Sequence, residues 1–134
     1  MPTPILIVDD SPIARKMLIK SLPSSWDVEI KHAGNGQEAL DAHRAGKIDI
    51  MFLDLTMPVL DGYEVLEAMQ KEGLNSFVIV LSADIQPIAQ ERVKKLGAMA
   101  FIKKPASPEV IGSVLKQFEV LHNVHPKKTL RADL

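Results

Sequence analysis

Five short apolar stretches recur along the chain, each followed by a segment whose apolar residues return at helical spacing. Ile5-Leu-Ile-Val8, Ile50-Met-Phe-Leu53 and Phe77-Val-Ile-Val-Leu81 are unbroken by polar positions, which suits strands buried on both faces of a parallel sheet. Val28 and Ile30 instead alternate with Glu29 and Lys31, predicting a shorter strand with one wetter face. A fifth strand is expected from Ala98 to Ile102.

The intervening segments carry helix signals. Ser11-Pro12 places a capping hydroxyl before a proline at the first helical position, with Ile13, Met17 and Leu18 as the apolar side and Pro23-Ser-Ser as the stop. Asn35 and Glu38 stand at the reciprocal spacing of a capping box, predicting a helix through Ala39, Leu40 and His43 that ends near Gly46. Asp61-Gly-Tyr-Glu64 opens a third helix, with Val65, Leu66 and Met69 turned inward. Pro87 stands near the start of a fourth, where Ile88, Arg92, Val93 and Leu96 share a side and Gly97 is a natural stop. Ser107-Pro108 repeats the cap-then-proline start, and Ile111, Val114, Leu115, Phe118 and Leu121 make the apolar side of the last helix. Strand and helix alternating with short connections predict an α/β fold, an open parallel sheet covered on both faces. One domain over residues 1–121 is expected, followed by an aperiodic tail, 122–134, whose Lys127, Lys128 and Arg131 read as solvated charge.

Composition narrows the classes. A chain of 134 residues, 46% hydrophobic and 25% charged, is ordinary for one soluble domain. A net charge of -1 makes no electrostatic case for nucleic acid as a partner. The absence of cysteine excludes disulfides, thiolate zinc sites and cysteine nucleophiles. Met-Pro-Thr-Pro leads into the first strand without a basic leader or a long apolar segment. No signal peptide or membrane span is therefore expected, and a cytoplasmic location is the default.

The polar residues at the strand ends carry the chemistry. Asp9 and Asp10 follow the first strand, Asp54 the third, Ser82 the fourth and Lys104 the fifth. In a parallel sheet these ends share one edge, where open α/β sheets bind ligands. Crowded carboxylates raise one another's pKa unless a cation joins them, and hard oxygen donors with few protein ligands suit Mg²⁺. A purely structural salt-bridge cluster is the bland alternative, as is a turn-capping role for Asp54. His32, His43, His122 and His125 show no ligand spacing with the acids and read as surface or helix-end residues.

Taken together, Asp9-Asp10, Phe52-Leu-Asp54, Thr56-Met57-Pro58 with Asp61-Gly62, Ser82-Ala83 and Lys104-Pro105 resemble the response regulator receiver domains of the CheY-like family. The resemblance covers nearly all of the chain except the tail. It implies a flavodoxin-like, doubly wound sheet of order 2-1-3-4-5 and a role in two-component, phosphorelay signal transduction. It further implies that Asp54 accepts a phosphoryl group from a histidine kinase or a histidine phosphotransfer protein. Asp10, Asp54 and the Thr56 backbone carbonyl would bind Mg²⁺ directly, with Asp9 acting through water. Lys104 would pair with phosphoryl oxygens and Ser82 would hydrogen-bond one of them. Phe101, which the residues alone would equally allow as plain core, would be the aromatic switch behind Ser82. A downstream protein would read the face made by the fourth helix, fifth strand and last helix.

Alternation along a strand sends Lys103 and Lys104 to opposite faces, so only one can reach the acids. The family's lysine directly precedes proline, which selects Lys104. Two other classes are weighed. An aspartate-nucleophile phosphohydrolase of the haloacid dehalogenase type would place its nucleophile after the first strand with a second aspartate two residues on, but Ser11 and Thr56 stand two after Asp9 and Asp54. A degenerate receiver that only makes contacts would not need the complete set of polar residues. No output domain follows the last helix, so a stand-alone receiver is favoured over one cut from a longer regulator.

Overall fold

The computed structural model describes residues 2–122, with side chains as far as Glu119; the side chain of Leu121, and the expected tail after His122, lie outside the described residues. Five parallel strands form one sheet in the order β2-β1-β3-β4-β5. They are β1 (Thr3–Val8), β2 (Val28–Ala33), β3 (Ile50–Asp54), β4 (Phe77–Ser82) and β5 (Ala100–Lys103). The helices are α1 (Pro12–Ser21), α2 (Gly36–Ala45), α3 (Gly62–Glu72), α4 (Pro87–Lys95) and α5 (Pro108–His122). The chain steps outward from β1 to β2 and returns to β3, so the direction of winding reverses between β1 and β3. Ligands of open α/β sheets bind beyond the strand ends at such a switch point.

Alternation within each strand divides the core between two faces. Leu6, Val8, Met51, Leu53, Val78 and Val80 pack against Leu40 of α2, Val65, Leu66 and Met69 of α3, and Val93 of α4. Ile5, Ile7, Ile50, Phe52, Ile79 and Leu81 pack against Leu18 of α1 and Ile111, Leu115 and Phe118 of α5. Phe77 and Phe118 meet edge to face, with centroids 5.5 Å apart, which adds about 0.5–1.5 kcal/mol to their burial. Every residue of β3 is buried, which accounts for its unbroken apolar run. No helix among the described residues is long and apolar enough to cross a membrane.

Three local expectations are corrected. In α1, Ile13 and Met17 are 71% and 55% exposed, and only Leu18 of the expected stripe is buried, joined by half-buried Ile19 and Leu22. Both 13/17 and 18/22 are i, i+4 pairs on stripes about 140° apart, and spacing alone cannot choose between them. The same holds in α4, where Ala89 and Val93 are buried while Ile88 points to solvent and the Arg92 guanidinium lies 3.8 Å over the Tyr63 ring. β5 begins at Ala100, because the Ala98 N–H is spent on Val93 O in closing α4. His43, read as a surface or helix-end residue, does lie in the last turn of α2, and there it is buried. Ser76 Oγ donates its one hydrogen to Ile48 O at 2.6 Å, so it accepts from His43 Nε2, 2.7 Å away. A buried imidazole is tolerated when so paired.

The caps follow the sequence closely. Ser11 Oγ accepts from Ala14 N, and Asp61 and Glu64 complete a full capping box. At Asn35 only half forms: its Oδ1 accepts from Glu38 N, while Glu38 Oε1 turns to Gly34 N.

The β3–α3 connection is strained. Leu60 N donates to Pro58 O at 2.8 Å around Val59, whose φ is +70°. This is the γ-turn of the rare, positive-φ kind, and a β-branched residue is poorly suited to it. Val59 is 73% exposed, so packing does not compensate. Val59→Gly is expected to raise stability by about 1 kcal/mol, the strain relieved less the entropy that glycine adds to the unfolded chain. Urea titration would show a higher midpoint with unchanged slope; an equal or lower midpoint would show that the turn carries no strain.

Candidate functional site

Asp9, at the end of β1, is tethered through every polar group. Its N–H donates to Ala33 O at 3.1 Å, and Oδ1 accepts from Ser11 N at 2.9 Å. Its Oδ2 accepts from Lys104 Nζ at 2.8 Å, and its carbonyl accepts from Arg15 Nη1. Asp54, closing β3, lies with Oδ1 3.1 Å from the same ammonium. Lys104 reaches both acids from just beyond β5, its own N–H held by Ser82 O, whereas Lys103 is exposed. The peptide between Lys104 and Pro105 is cis.

Asp10 completes the group. One carboxylate oxygen from each of Asp9, Asp10 and Asp54 can be chosen so that all lie within 4.8 Å of one another. Asp9 and Asp54 are buried and Asp10 is exposed. Burial pushes the Asp54 carboxyl above its ordinary value, aided by the Asp9 charge, and outweighs the Lys104 hydrogen bond and charge and the Thr56 backbone N–H, all of which pull it down. Burial also works against the charge on Lys104, yet Asp9 and Asp54 together raise its pKa, so the ammonium persists. Three clustered carboxylates outnumber the Lys104 and Arg15 cations beside them, leaving excess negative charge on this edge that a further cation would offset. The donors are all carboxylate oxygens, which fits a hard divalent cation rather than a soft one.

Ser82 is buried at the end of β4, its Oγ accepting from Asp84 N at 3.0 Å. Phe101 is half-buried on β5, paired with Val80, while Ser82 pairs with Lys103. Because partners in a parallel ladder share a face and alternate residues return to it, Ser82 and Phe101 lie diagonally on the face covered by α3 and α4. Thr56 is exposed in the loop after β3.

Sequence reasoning passed over Arg15 and the close packing of Gly36, and took Gly62 only as part of the Asp61-Gly62 pattern. A cation one helical turn past the Ser11 cap, near the acid pair, is the signal that could have drawn attention to Arg15. Local pattern does not give the reason either Gly36 or Gly62 must be glycine, since that requirement comes from other elements. A Cβ on Gly62 would stand 2.6 Å from the Asp54 carbonyl oxygen, and one on Gly36 would run into Leu60. A cavity of about 140 Å³ beside the acids is lined by Ile7, Leu18, Phe52 and Leu81 together with Asp9, Asp54, Arg15 and Lys104.

Comparison with known proteins matches residues 5–116 to the family model described as response regulator receiver domain. The chain is 33% identical over 114 residues to the chemotaxis protein CheY of Thermotoga maritima, covering 84% of this chain and 94% of that one. It is 41% identical over 106 residues to a protein-glutamate methylesterase/protein-glutamine glutaminase of Syntrophomonas wolfei, covering 76% of this chain but 30% of that one. The chain thus spans less than a third of that longer relative. Among solved structures, chemotaxis protein CheY4 of Vibrio cholerae superposes with a TM-score of 0.79 at 26% identity, over 88% of this chain and 99% of that one.

Proposed function

The chain belongs to the response regulator receiver domain family, and on that premise we propose that it is a phosphoacceptor switch charged by a histidine kinase or histidine phosphotransfer protein. The observation that carries the reading is Asp54, buried at the end of the central strand and sharing the Lys104 ammonium with Asp9. In the transfer, an Asp54 carboxylate oxygen forms a bond to phosphorus as the donor's N–P bond breaks, and the leaving imidazole takes up a proton. Such a step needs positioning and charge neutralisation more than covalent help. Lys104 neutralises phosphoryl oxygens as a point charge. Asp10, Asp54 and the Thr56 carbonyl would hold Mg²⁺, with Asp9 acting through water, and the ion would supply the remaining positive charge. The domain acts on no second substrate; its phosphoryl group is the signal.

The tethering of Asp9 supports this division of the acids. Its carboxylate is already taken by Ser11 N and Lys104, whereas among the described residues no group hydrogen-bonds the Asp10 carboxylate. Asp9→Ala, an indirect change, is expected to weaken Mg²⁺ binding about 10–100-fold, and Asp10→Ala to weaken it further. Isothermal titration would rank them; the opposite order would reverse the assignment.

Readout passes through Ser82. Its oxygen is engaged by Asp84 N while its hydrogen is free to donate, so turning toward a phosphoryl group would pull on the β4–α4 loop and open room on the face that Phe101 shares. Burying that ring more fully contributes up to about 1.5–3 kcal/mol, enough to bias two states. The surface that changes is that of α4, β5 and α5, where Ile88 and Val110 are exposed apolar side chains suited to a protein partner. Acetyl phosphate with Mg²⁺ is expected to phosphorylate the protein, and beryllofluoride with Mg²⁺ to shift the amides of Arg92, Phe101 and Val110. Shifts confined to the loops around Asp10 and Asp54 would refute coupling through Ser82 and Phe101.

A further inference from the structure

We propose that Arg15 is a positioning residue for the cation site, holding the Asp9–Asp10 peptide so that the Asp10 carboxylate is presented to the metal; this rests on the reading of Asp9, Asp10 and Asp54 as that site. Arg15 lies on the first turns of α1, its N–H bonded to Ser11 O at 3.1 Å. Its side chain folds back over the β1–α1 loop, and Nη1 donates to the Asp9 carbonyl. That carbonyl and the Asp10 N–H belong to one rigid peptide plane. Fixing the oxygen fixes the rotation of the plane and so the start of the Asp10 N–Cα bond, leaving φ of Asp10 as the one backbone rotation that still aims its side chain. Asp9 has further anchors in Ala33, Ser11 and Lys104. The exposed Asp10 carboxylate has none among the described residues, so its placement depends on the backbone that Arg15 holds.

A second observation points the same way. Arg15 Nε is buried with no hydrogen-bond partner. An unsatisfied buried N–H costs stability, so this conformation is a poor choice for an arginine that serves folding alone. Such violations of local preference gather at functional sites.

Charge and position predict opposite signs, which makes the idea testable. By Coulomb's law, removing a guanidinium beside a cation site tightens metal binding. Removing a support for a metal ligand weakens it. Mn²⁺ affinity, measured on the full chain from the electron paramagnetic resonance signal of free Mn²⁺, reads this directly. Arg15→Met is expected to weaken binding about tenfold and Arg15→Lys, which keeps one donor, by less. At saturating Mg²⁺, labelling of Arg15→Met by acetyl phosphate should return to within about twofold of the parent. Binding as tight as the parent's, or tighter, in Arg15→Met overturns the inference. Should that variant not fold, parent-like affinity in Arg15→Lys overturns it instead. Asp10→Ala separates the two levels: its loss of affinity with Arg15→Met unchanged defeats the inference alone, whereas parent-like affinity in Asp10→Ala defeats the metal site itself.

Discussion

Asp54→Asn is expected to incorporate no acid-labile phosphate from acetyl phosphate or a phosphohistidine donor, while melting at a higher temperature than the parent at neutral pH. The amide keeps the shape of the carboxyl but cannot form an acyl phosphate. The stability gain follows from linkage. Burial holds the Asp54 pKa above that of an unfolded aspartate, so the unfolded chain releases this proton at lower pH than the folded one. Stability from this group is fully present below the ordinary aspartate range, about pH 3.9, and is lost as pH rises through the raised folded value. Above that value the ionised, buried Asp54 costs stability. Asparagine removes this cost, and Lys104 retains Asp9 at 2.8 Å. The advantage over the parent should therefore disappear once pH falls below the ordinary carboxylate range. Normal labelling of the variant would remove Asp54 as the acceptor. A parent that is the more stable at pH 7 would show that the Lys104–Asp54 attraction outweighs burial.

Gly62→Ala is expected to have the largest effect on both fold and site. Helix propensity alone predicts a gain of about 1 kcal/mol for alanine over glycine. The tertiary contacts predict the reverse, because the new Cβ would stand 2.6 Å from the Asp54 carbonyl oxygen and 2.8 Å from Leu55 Cα. Backbone atoms cannot swing aside as a side-chain end can, and overpacking of this kind costs about 1–3 kcal/mol or more. The atoms that must shift also carry Asp54, and a misplacement near 1 Å can cost about 10²-fold in rate. Denaturant midpoints and acetyl phosphate labelling should therefore fall together. Gly73→Ala is the control: at φ +70° with open space around it, it should lose about 1–2 kcal/mol from backbone strain and label normally. A stable, normally labelled Gly62→Ala would mean that the β3 end yields without consequence.

The partial legibility of the chain has physical causes. The five strands, the alternation that divides Leu53 from Phe52, the serine and aspartate caps, and the acids and lysine beyond the strand ends are all encoded within a few residues of where they act. Local periodicity and capping are short-range properties, and parallel pairing then carries Asp9, Asp54 and Lys104 to one edge without further information. Choices that depend on a partner distant in sequence were not legible. Ile13 and Ile88 follow a helical spacing as good as that of Leu18 and Val93, and only the sheet decides which stripe it covers. His43 shares a helical face with Ala39 and Leu40, but what makes its burial tolerable was not legible, because the hydroxyl that satisfies it lies thirty-three residues away on Ser76. Sequence alone determined the fold class and the gathering of Asp9, Asp54 and Lys104 at one sheet edge, since those follow from local period and from one rule of parallel pairing. Tertiary structure decided the burial of His43, the closeness of Gly62 to Asp54 and the hold of Arg15 on Asp9, because each is a distance between elements that no local pattern encodes.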